Sequence, residues 1–422
     1  MHLDFSFFLT SGVEFLSLYA GVFYLLTFFE NRDKLDEDKK TTNYPSVTII
    51  IPAYNEEKNI AAAIESAAGL DYPKAKLFIA VVNDGSKDRT LQAAREASQG
   101  KKNIKIIDLQ LNAGKAAAVN FVLREVKTDL VATLDADSWV TAGALKKMLP
   151  YFEEDERVAA VTAAMKINQP KTFWQKIQRV EYLALIYLKK MLSFLNGITA
   201  TPGPFSIYRT KVFSHIGYFD EQNITEDGEI ALRLQKYNYI ILNAHEAEVF
   251  TNSPATLKNL MRQRVRWNRG TIRNFIKYRR LIGNSHYGDF GLFVLPIAIV
   301  LLFFSSIFLF YNLVRLLIIA GNRIYYASSY GYRLIDIPGI GPGQGFDFFY
   351  FHPSFTQLIV FAILGFFATS LYFIYRYHRQ DFGKTLLFYL PYLAVYYTVF
   401  SLGFLAATLA YEITNRKLSW HK

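Results

Sequence analysis

The sequence has no cysteine among its 422 residues. A disulfide framework, a thiolate metal site and a cysteine nucleophile are therefore excluded. Acidic residues are missing from the stretch 258–280, which holds nine lysines and arginines. No nucleic-acid-binding motif accompanies this basic stretch or the net charge of +11. We therefore expect the positive charge to face phosphate ligands or anionic lipid headgroups, and we expect no nucleic-acid partner.

Long apolar runs lie at the two ends of the chain. Residues 5–29 lack the basic start and the small-residue cleavage pattern of a signal peptide, so we predict an uncleaved membrane helix. Three more runs, at residues 290–319, 355–375 and 385–411, are each long enough to span a bilayer. We therefore expect a multi-pass protein of the cell membrane that contacts membrane lipids.

The apolar runs divide the chain into four parts. We predict an N-terminal transmembrane helix at 1–30, a charged linker at 31–44, a cytoplasmic α/β domain at 45–283 and about three further spans in 284–422. Basic residues between 376 and 384 predict a cytoplasmic loop before the last span. The glycine-rich segment 337–353 is interpreted as an external loop, with a re-entrant segment as the alternative.

Apolar strands alternate with helices from residue 45 onward. We predict strands at 47–51, 77–82, 104–109, 130–134 and 158–163, and a short one at 206–209. Fully apolar strands between helices are typical of a parallel sheet with both faces covered. The fold class is therefore α/β, with a doubly wound and mostly parallel sheet.

Polar residues follow the carboxyl ends of several predicted strands, where an open α/β sheet binds its ligand. Glu56, Asp84, Lys115, Asp135 and Asp137 hold these positions. We expect them to share one cleft, although the Asn-Asp-Gly-Ser sequence that contains Asp84 is also an ordinary turn.

The acids suggest two kinds of chemistry. Asp135 and Asp137 offer carboxylates to Mg²⁺ or Mn²⁺, which shares its remaining ligands with substrate phosphates. Lys115 and Arg266 are suited to the same diphosphate. Thr225-Glu226-Asp227 starts a predicted helix, and this motif is interpreted either as an N-cap or as the source of a general base.

The basic stretch is predicted to be a helix on which Gln263, Arg266 and Trp267 face one way. Trp267 either packs in the core or stacks on a pyranose ring, whose C–H face is apolar. A second long helix, at 172–195, is interpreted as either interfacial or core-facing. The remaining basic residues of the stretch are expected to contact lipid headgroups: Arg269, Arg273, Lys277, Arg279 and Arg280.

The set of motifs resembles the membrane-integrated family 2 glycosyltransferases of the hyaluronan, chitin, cellulose and poly-N-acetylglucosamine synthase type. The matching segments occur in the family's order. They are Pro52-Ala53-Tyr54-Asn55-Glu56, Asn83-Asp84-Gly85-Ser86, Gly114-Lys115, Asp135-Ala136-Asp137, Thr225-Glu226-Asp227 and Gln263-Arg264-Val265-Arg266-Trp267. The resemblance implies a GT-A-like domain and a metal-dependent, inverting transfer of a sugar from a nucleotide-sugar donor, with UDP-sugar expected.

The resemblance also implies a role for each matching residue. Asp227 would be the base with Glu226 beside it, Asp135 and Asp137 would bind metal, and Gly203, Pro204 and Trp267 would bind the acceptor. The donor would be bound by Pro52, Ala53, Tyr54, Glu56, Asp84, Lys115, Asp135, Ala136, Gln263 and Arg266.

Two products are compatible with such a site. The first is a β-linked polysaccharide, made processively and exported through the membrane helices. The alternative is a single sugar added to a lipid acceptor such as a polyprenyl phosphate. Because four spans are few for a polymer channel, its completion would need the interfacial helix, an accessory membrane subunit or a second copy of the chain.

Overall fold

A computed structural model describes residues 5–37, 39–41, 43–300, scattered positions between 314 and 329, 355–392, 396 and 401–413. Within these residues, eight strands form one sheet in the order β3-β2-β1-β4-β7-β6-β8-β5. The strands are β1 Val47–Ala53, β2 Leu77–Asp84, β3 Ile104–Leu109, β4 Leu130–Thr133, β5 Ser138–Val140, β6 Val158–Ile167, β7 Ser206–Arg209 and β8 Ile240–Thr251.

The predicted strands are all present, and two strands were not predicted. β8 alternates apolar residues with polar ones such as Asn243 and Glu248, and β5 has only three residues. The first four strands pair in parallel, as expected. β7, however, runs antiparallel to both β4 and β6, and β5 runs antiparallel to β8, so the sheet is mixed. The parallel half is the part that carries the site.

Helices cover both faces of the sheet, as a doubly wound fold requires. The helices of the domain are α2 Ile60–Ala68, α3 Thr90–Ala97, α4 Lys115–Leu123, α5 Ala144–Met148, α6 Pro150–Glu153, α7 Phe173–Phe194, α8 Phe213–Ile216, α9 Glu226–Lys236 and α10 Leu257–Lys277. One core contains residues of α2, α3, α5 and α6, and a second core contains residues of α4, α8 and α9. The two cores lie on opposite faces of the strands, whose side chains alternate between them.

A third core joins the domain to helices at the two ends of the chain. These helices are α1 Phe5–Leu35, α11 Leu295–Val300, α12 Phe355–Tyr377, α13 Arg379–Pro391 and α14 Ser401–Ile413. α7 begins with a capping box of Thr172 and Gln175, and it packs on β6 and β8 as well as on α12 and α13. Ile177, Leu183 and Tyr187 are buried in this layer. α7 is therefore core-facing on this side, and an interfacial position at the membrane stays a prediction.

The C-terminal helices differ from the predicted spans. Residues 376–384 were expected to be a loop, but α13 begins at Arg379 and packs along α7. Two side chains of α7 fix this contact: Arg179 donates to the Lys384 carbonyl at 3.1 Å, and Lys176 lies over the Phe388 ring. The run 385–411 is thus divided between α13 and α14 in the described residues.

Across the residues described, every helix falls short of the combination of length and apolarity that crossing a bilayer would require. The four spans therefore stay predictions. Much of the run 290–319, the segment 337–353 and the C-terminal tail lie outside the described residues.

Candidate active site

Lys115, the first residue of α4, lies between two carboxylates at the centre of the cleft. Its Nζ is 2.5 Å from Asp135 Oδ1, just past β4, and 3.3 Å from Glu226 Oε1, at the start of α9. Burial lowers the pKa of Lys115, but the carboxylates of Asp135 and Glu226 outweigh that effect and raise it. A charged lysine is therefore held where it can meet an anionic donor.

The loop before β7 presses directly on this ion pair. A Cβ placed on Gly203 would lie 2.2 Å from Lys115 Nζ and 2.8 Å from Asp135 Oδ1. Only glycine allows the backbone to approach so closely. The sequence predicted acceptor contacts for Gly203 and Pro204, and the structure places Gly203 beside Lys115 and Asp135.

The two acids at the start of α9 have different environments. Glu226 is buried, and burial raises its pKa, with Lys115 opposing the effect and Asp227 adding to it. Asp227 is only half-buried, and its Oδ1 accepts a hydrogen bond from the Gly228 amide at 2.8 Å. The main-chain carbonyl of Asp227 accepts from Thr201 N at 3.1 Å and from Thr201 Oγ1 at 3.0 Å. These two hydrogen bonds from the loop that contains Gly203 hold the Asp227 backbone in place.

Thr225 is the N-cap residue of α9, with Glu226 and Asp227 in the first turn as predicted, but its side chain makes no capping hydrogen bond. Its hydroxyl instead lies 3.2 Å from Asn274 Nδ2, on α10. A Cβ on Gly270, one turn earlier in α10, would lie 2.0 Å from Thr225 Oγ1. The side chain of Thr225, at the start of α9, therefore packs directly on the backbone of α10 at Gly270.

Asp84 holds the loop that leads into Lys115. Its Oδ1 accepts from Ala113 N at 2.8 Å, and its Oδ2 accepts from Gly114 N at 2.9 Å. Gly114 has a φ of +94°, which favours glycine. Asp84 thus positions the start of α4, and a contact with the nucleotide stays a prediction.

The predicted donor segment after β1 is interlocked with the loop after β2. Pro52 and Ala53 are buried at the end of β1, and Tyr54 is half-buried. Glu56 is buried, and its Oε2 accepts from Asn59 Nδ2 at 2.7 Å. Bonds between the two loops fix their conformation: Asn55 N to Ser86 Oγ, Glu56 N to Thr90 Oγ1, Glu57 N to Asp88 Oδ2 and Lys87 N to Asn55 Oδ1.

The segment between β4 and β5 carries the predicted metal ligands. Ser138 N donates to the Asp135 carbonyl at 3.0 Å, Ala136 is buried, and Asp135 and Asp137 are half-buried. Among the described side chains, no group of three or more His, Asp or Glu residues is arranged to hold a metal ion. Two carboxylates nevertheless fit Mg²⁺ or Mn²⁺, because such ions take several ligands from phosphate and water.

On α10, the predicted face is half-exposed, as a ligand-facing surface would be. Gln263, Arg266 and Trp267 are all of intermediate exposure. Gln263 Oε1 is buried and has no hydrogen-bond partner in the described part of the chain. Burial raises the pKa of Tyr182, on α7, to about 12, with smaller effects from Asp137 and Arg266.

One of the expected headgroup contacts, that of Arg269, is wrong, and that of the exposed Lys277 stays a prediction. Arg269 is buried, with 4% of its surface exposed, so it belongs to the domain interior. Lys277 Nζ is 2.8 Å from both Asp220 Oδ2 and Glu229 Oε1, which ties α10 to α9. Arg273, Arg279 and Arg280 are exposed. The sequence could not predict that Arg269 is buried, because burial of an arginine depends on partners supplied by distant segments.

The structure adds residues that motif spacing did not indicate. A cavity of about 10 Å³, the space of about one water molecule, is lined by Thr133, Thr201, Tyr208, Glu226 and Asp227 among others. Thr133 Oγ1 is buried and unpartnered in the described residues. Burial lowers the pKa of Lys189, on α7, to about 8, and the charge of Asp227 opposes this shift. Only the strand-end position of Thr133 could have been noticed in the sequence.

Known proteins match this chain over its central part. Residues 48–217 match the family described as Glycosyl transferase family 2. Poly-beta-1,6-N-acetyl-D-glucosamine synthase of Staphylococcus epidermidis is 31% identical over 227 residues, which is 53% of this chain and 54% of that protein. The protein of the same name from Staphylococcus aureus strain COL is 30% identical over 261 residues, 61% of this chain and 63% of that protein. The chain thus spans about half to three fifths of these curated relatives.

A solved structure shares the fold over nearly the whole chain. The mannosyltransferase PcManGT from Pyrobaculum calidifontis, in complex with GDP-Man and Mn²⁺, aligns with a TM-score of 0.60 at 18% sequence identity. The alignment covers 96% of this chain and all of that one. It supports the GT-A-like α/β fold, and the family match confirms the predicted family 2 glycosyltransferase for residues 48–217, while metal dependence and inversion stay predictions. Residues 48–217 are therefore a family 2 glycosyltransferase domain.

Proposed function

We propose that the protein transfers a sugar from a UDP-sugar to the end of a growing β-linked polysaccharide. The observation that carries this proposal is the ion pair of Lys115 and Asp135, which lies beside Glu226 and below Gly203. It provides a cation for the departing diphosphate, and Lys115 lines the same cavity as Asp227, the proposed base. The named relatives from Staphylococcus, at 30–31% identity, support a polysaccharide product.

The proposed reaction is a single displacement. Asp227 takes the proton from an acceptor hydroxyl, the hydroxyl oxygen bonds to the anomeric carbon, and the bond from that carbon to the diphosphate oxygen breaks with inversion. Lys115 and Arg266 bind the diphosphate as its charge increases. Glu226, whose Oε1 is 3.3 Å from Lys115 Nζ, keeps that cation in place.

A divalent cation, Mg²⁺ or Mn²⁺, is proposed to be held by Asp135 and Asp137 and to neutralise the diphosphate. The Mn²⁺ in the structurally similar mannosyltransferase supports this choice of ion class. Equilibrium dialysis should show Mn²⁺ binding that depends on UDP and is lost in Asp137→Asn. Binding that the variant retains would contradict the assignment.

The polymer hypothesis is tested by product size. Purified protein is given radiolabelled UDP-N-acetylglucosamine, UDP-glucose or UDP-glucuronate, and the products are separated by length and by extraction into organic solvent. A long water-soluble polymer from one donor is expected. A single sugar on an extractable lipid would instead support the lipid-acceptor alternative, and no product with Asp227→Asn provides the control.

We also propose that the protein lies in the cell membrane with its catalytic domain in the cytoplasm and the product exported through the helices. Because the chain has no cysteine, single cysteines can be introduced without background. Gln99→Cys, on the surface of the domain, should react with an impermeant maleimide only after lysis. Gln344→Cys, in the predicted external loop, should react in intact cells. The opposite pattern, or release of the protein by alkaline carbonate, would contradict the proposal.

A further inference from the structure

Arg264, in the middle of α10, is buried although it carries a charge, with 6% of its surface exposed. Its guanidinium donates to Glu181 Oε2 of α7 at 2.5 Å and, through Nε, to the hydroxyl of Tyr396 at 3.1 Å. The Tyr396 hydroxyl in turn donates to the same Glu181 oxygen at 3.2 Å. We call these three residues the Arg264 triad. It joins α7, α10 and the segment that precedes α14.

Three contacts link the triad. The Arg264 guanidinium faces the Glu181 carboxylate, and the Tyr396 hydroxyl accepts from Arg264 and donates to Glu181. Burial lowers the pKa of Arg264, but Glu181 and the neighbouring tyrosines outweigh it, and the arginine stays charged. A buried ion pair of this kind contributes little net stability over a well-packed apolar group. Stability therefore does not explain the pair of Arg264 and Glu181, and we look to the position in which it holds the guanidinium.

The guanidinium has a second neighbour, one turn further along α10. The Arg264 Cζ lies 4.3 Å from the centroid of the Trp267 ring, a cation–π distance. Trp267 is the predicted platform for the acceptor sugar and is only half-buried. Two contacts, with Glu181 and Tyr396, hold the guanidinium, whose Cζ lies over the indole ring.

We propose that the Arg264 triad is a positioning device that sets the orientation of Trp267 for the acceptor sugar. Glu181 and Tyr396 act through Arg264, and none of the three is a catalytic residue. This inference rests on the proposed function, in which Trp267 binds the acceptor.

The mildest test is Tyr396→Phe, which removes one hydroxyl and keeps the ring packed near Tyr392 and Phe404. Arg264→Lys keeps the charge but loses the planar fork that pairs with both partners. The matched control is Tyr389→Phe, which removes a buried hydroxyl bonded to Ser370 at 3.3 Å, outside the triad.

Orientation is read without substrate by tryptophan fluorescence. The chain has only four tryptophans, so Trp139→Phe, Trp174→Phe and Trp420→Phe leave Trp267 as the single emitter. In this background, we expect Tyr396→Phe and Arg264→Lys to lower the residual anisotropy of Trp267, and Tyr389→Phe to leave it unchanged. Unchanged anisotropy in both triad variants would overturn the proposal.

The functional test compares the KM for the acceptor with the Kd for UDP. For the two triad variants, the KM for a primer oligosaccharide should rise about tenfold, the effect of losing one hydrogen bond to a charged group. The Kd for UDP should stay within about twofold, because the diphosphate contacts are elsewhere. An equal rise in both constants would indicate a general structural role and would contradict the proposal.

The two readouts separate the possible failures. If the wild-type protein transfers no sugar to any primer, the proposed function fails, while the anisotropy still reports whether the triad holds Trp267. If anisotropy falls but the primer KM does not change, the triad orients Trp267 without serving acceptor binding, and the inference is overturned. The double variant Glu181→Gln with Arg264→Met, which removes both charges, should show the same rise in primer KM if it folds.

Discussion

Adding one methyl group at Gly203 is expected to damage catalysis far more than folding. In Gly203→Ala the new Cβ would meet Lys115 Nζ at 2.2 Å and Asp135 Oδ2 at 2.9 Å. Non-bonded atoms prefer about 3.5 Å or more, so the lysine nitrogen has to retreat by about 1 Å. That movement can lengthen the contact of Nζ with Asp135 from 2.5 Å to about 3.5 Å, where the hydrogen bond is weak.

The magnitude follows from which atom has to move. Nζ is the end of a flexible side chain, so the domain accommodates the methyl group at a cost of about 1–2 kcal/mol, comparable to one weakened charged hydrogen bond. Catalysis is more sensitive, because a displacement of about 1 Å in a group that binds the reacting atoms lowers the rate by about 100-fold. We therefore expect kcat to fall about 100-fold while the protein still folds.

The assay is the initial rate of UDP release in the presence of primer, together with the urea midpoint of the purified protein. Gly143→Ala is the matched control, because its Cβ would meet only Lys147 Cε, at 4.0 Å, and its φ of −86° suits any residue. A Gly203→Ala protein within about twofold of the wild-type rate would refute the assignment of Lys115 to the diphosphate.

Three further changes test the base, the α9–α10 contact and the buried histidine. Asp227→Asn should lower transfer by at least about 100-fold and leave the Kd for UDP unchanged, since the base acts on the acceptor alone; an active variant would exclude this base. Alanine in a helix normally stabilises by about 1 kcal/mol over glycine, but Gly270→Ala should destabilise, because its Cβ would lie 2.0 Å from Thr225 Oγ1; a raised urea midpoint would contradict the packing. Burial lowers the pKa of His245 to about 2. Below about pH 6.5, therefore, only the unfolded chain takes up this proton. The free energy of unfolding then falls by about 1.4 kcal/mol for each pH unit toward acid. His245→Asn should reduce the change in urea midpoint between pH 7.5 and 5.5, and His286→Gln, at an exposed histidine, should not.

The parallel half of the domain was predictable because each of its strands is a continuous apolar run. The polar residues that follow β3 and β4 then had to meet at one edge, and Lys115 and Asp135 do so. β8 was missed because its inward and outward residues alternate, a pattern that the many polar residues obscured. The sequence pattern therefore predicts buried central strands better than strands whose faces differ.

The division of the basic helix into two functional parts was only partly predictable. Helical spacing correctly groups Gln263, Arg266 and Trp267, since that grouping depends on local geometry. The burial of Arg264 and Arg269 depends on groups that arrive from elsewhere in the chain, such as Glu181 and Tyr396. Spacing identifies which side chains point together, whereas the partner of each charge is a property of the tertiary structure.

The loop at residues 201–205 touches both halves of the proposed reaction. Thr201 holds the carbonyl of Asp227, and Gly203 lies against Lys115 and Asp135. Departure of the diphosphate and removal of the acceptor proton are therefore mechanically linked through one short segment. We expect an acceptor that moves this loop to affect both the departure of the diphosphate and the removal of the proton. Water does not move the loop in this scheme, so hydrolysis of the donor would be slow. Wasteful breakdown of the donor between additions would be limited by the same residues that organise transfer.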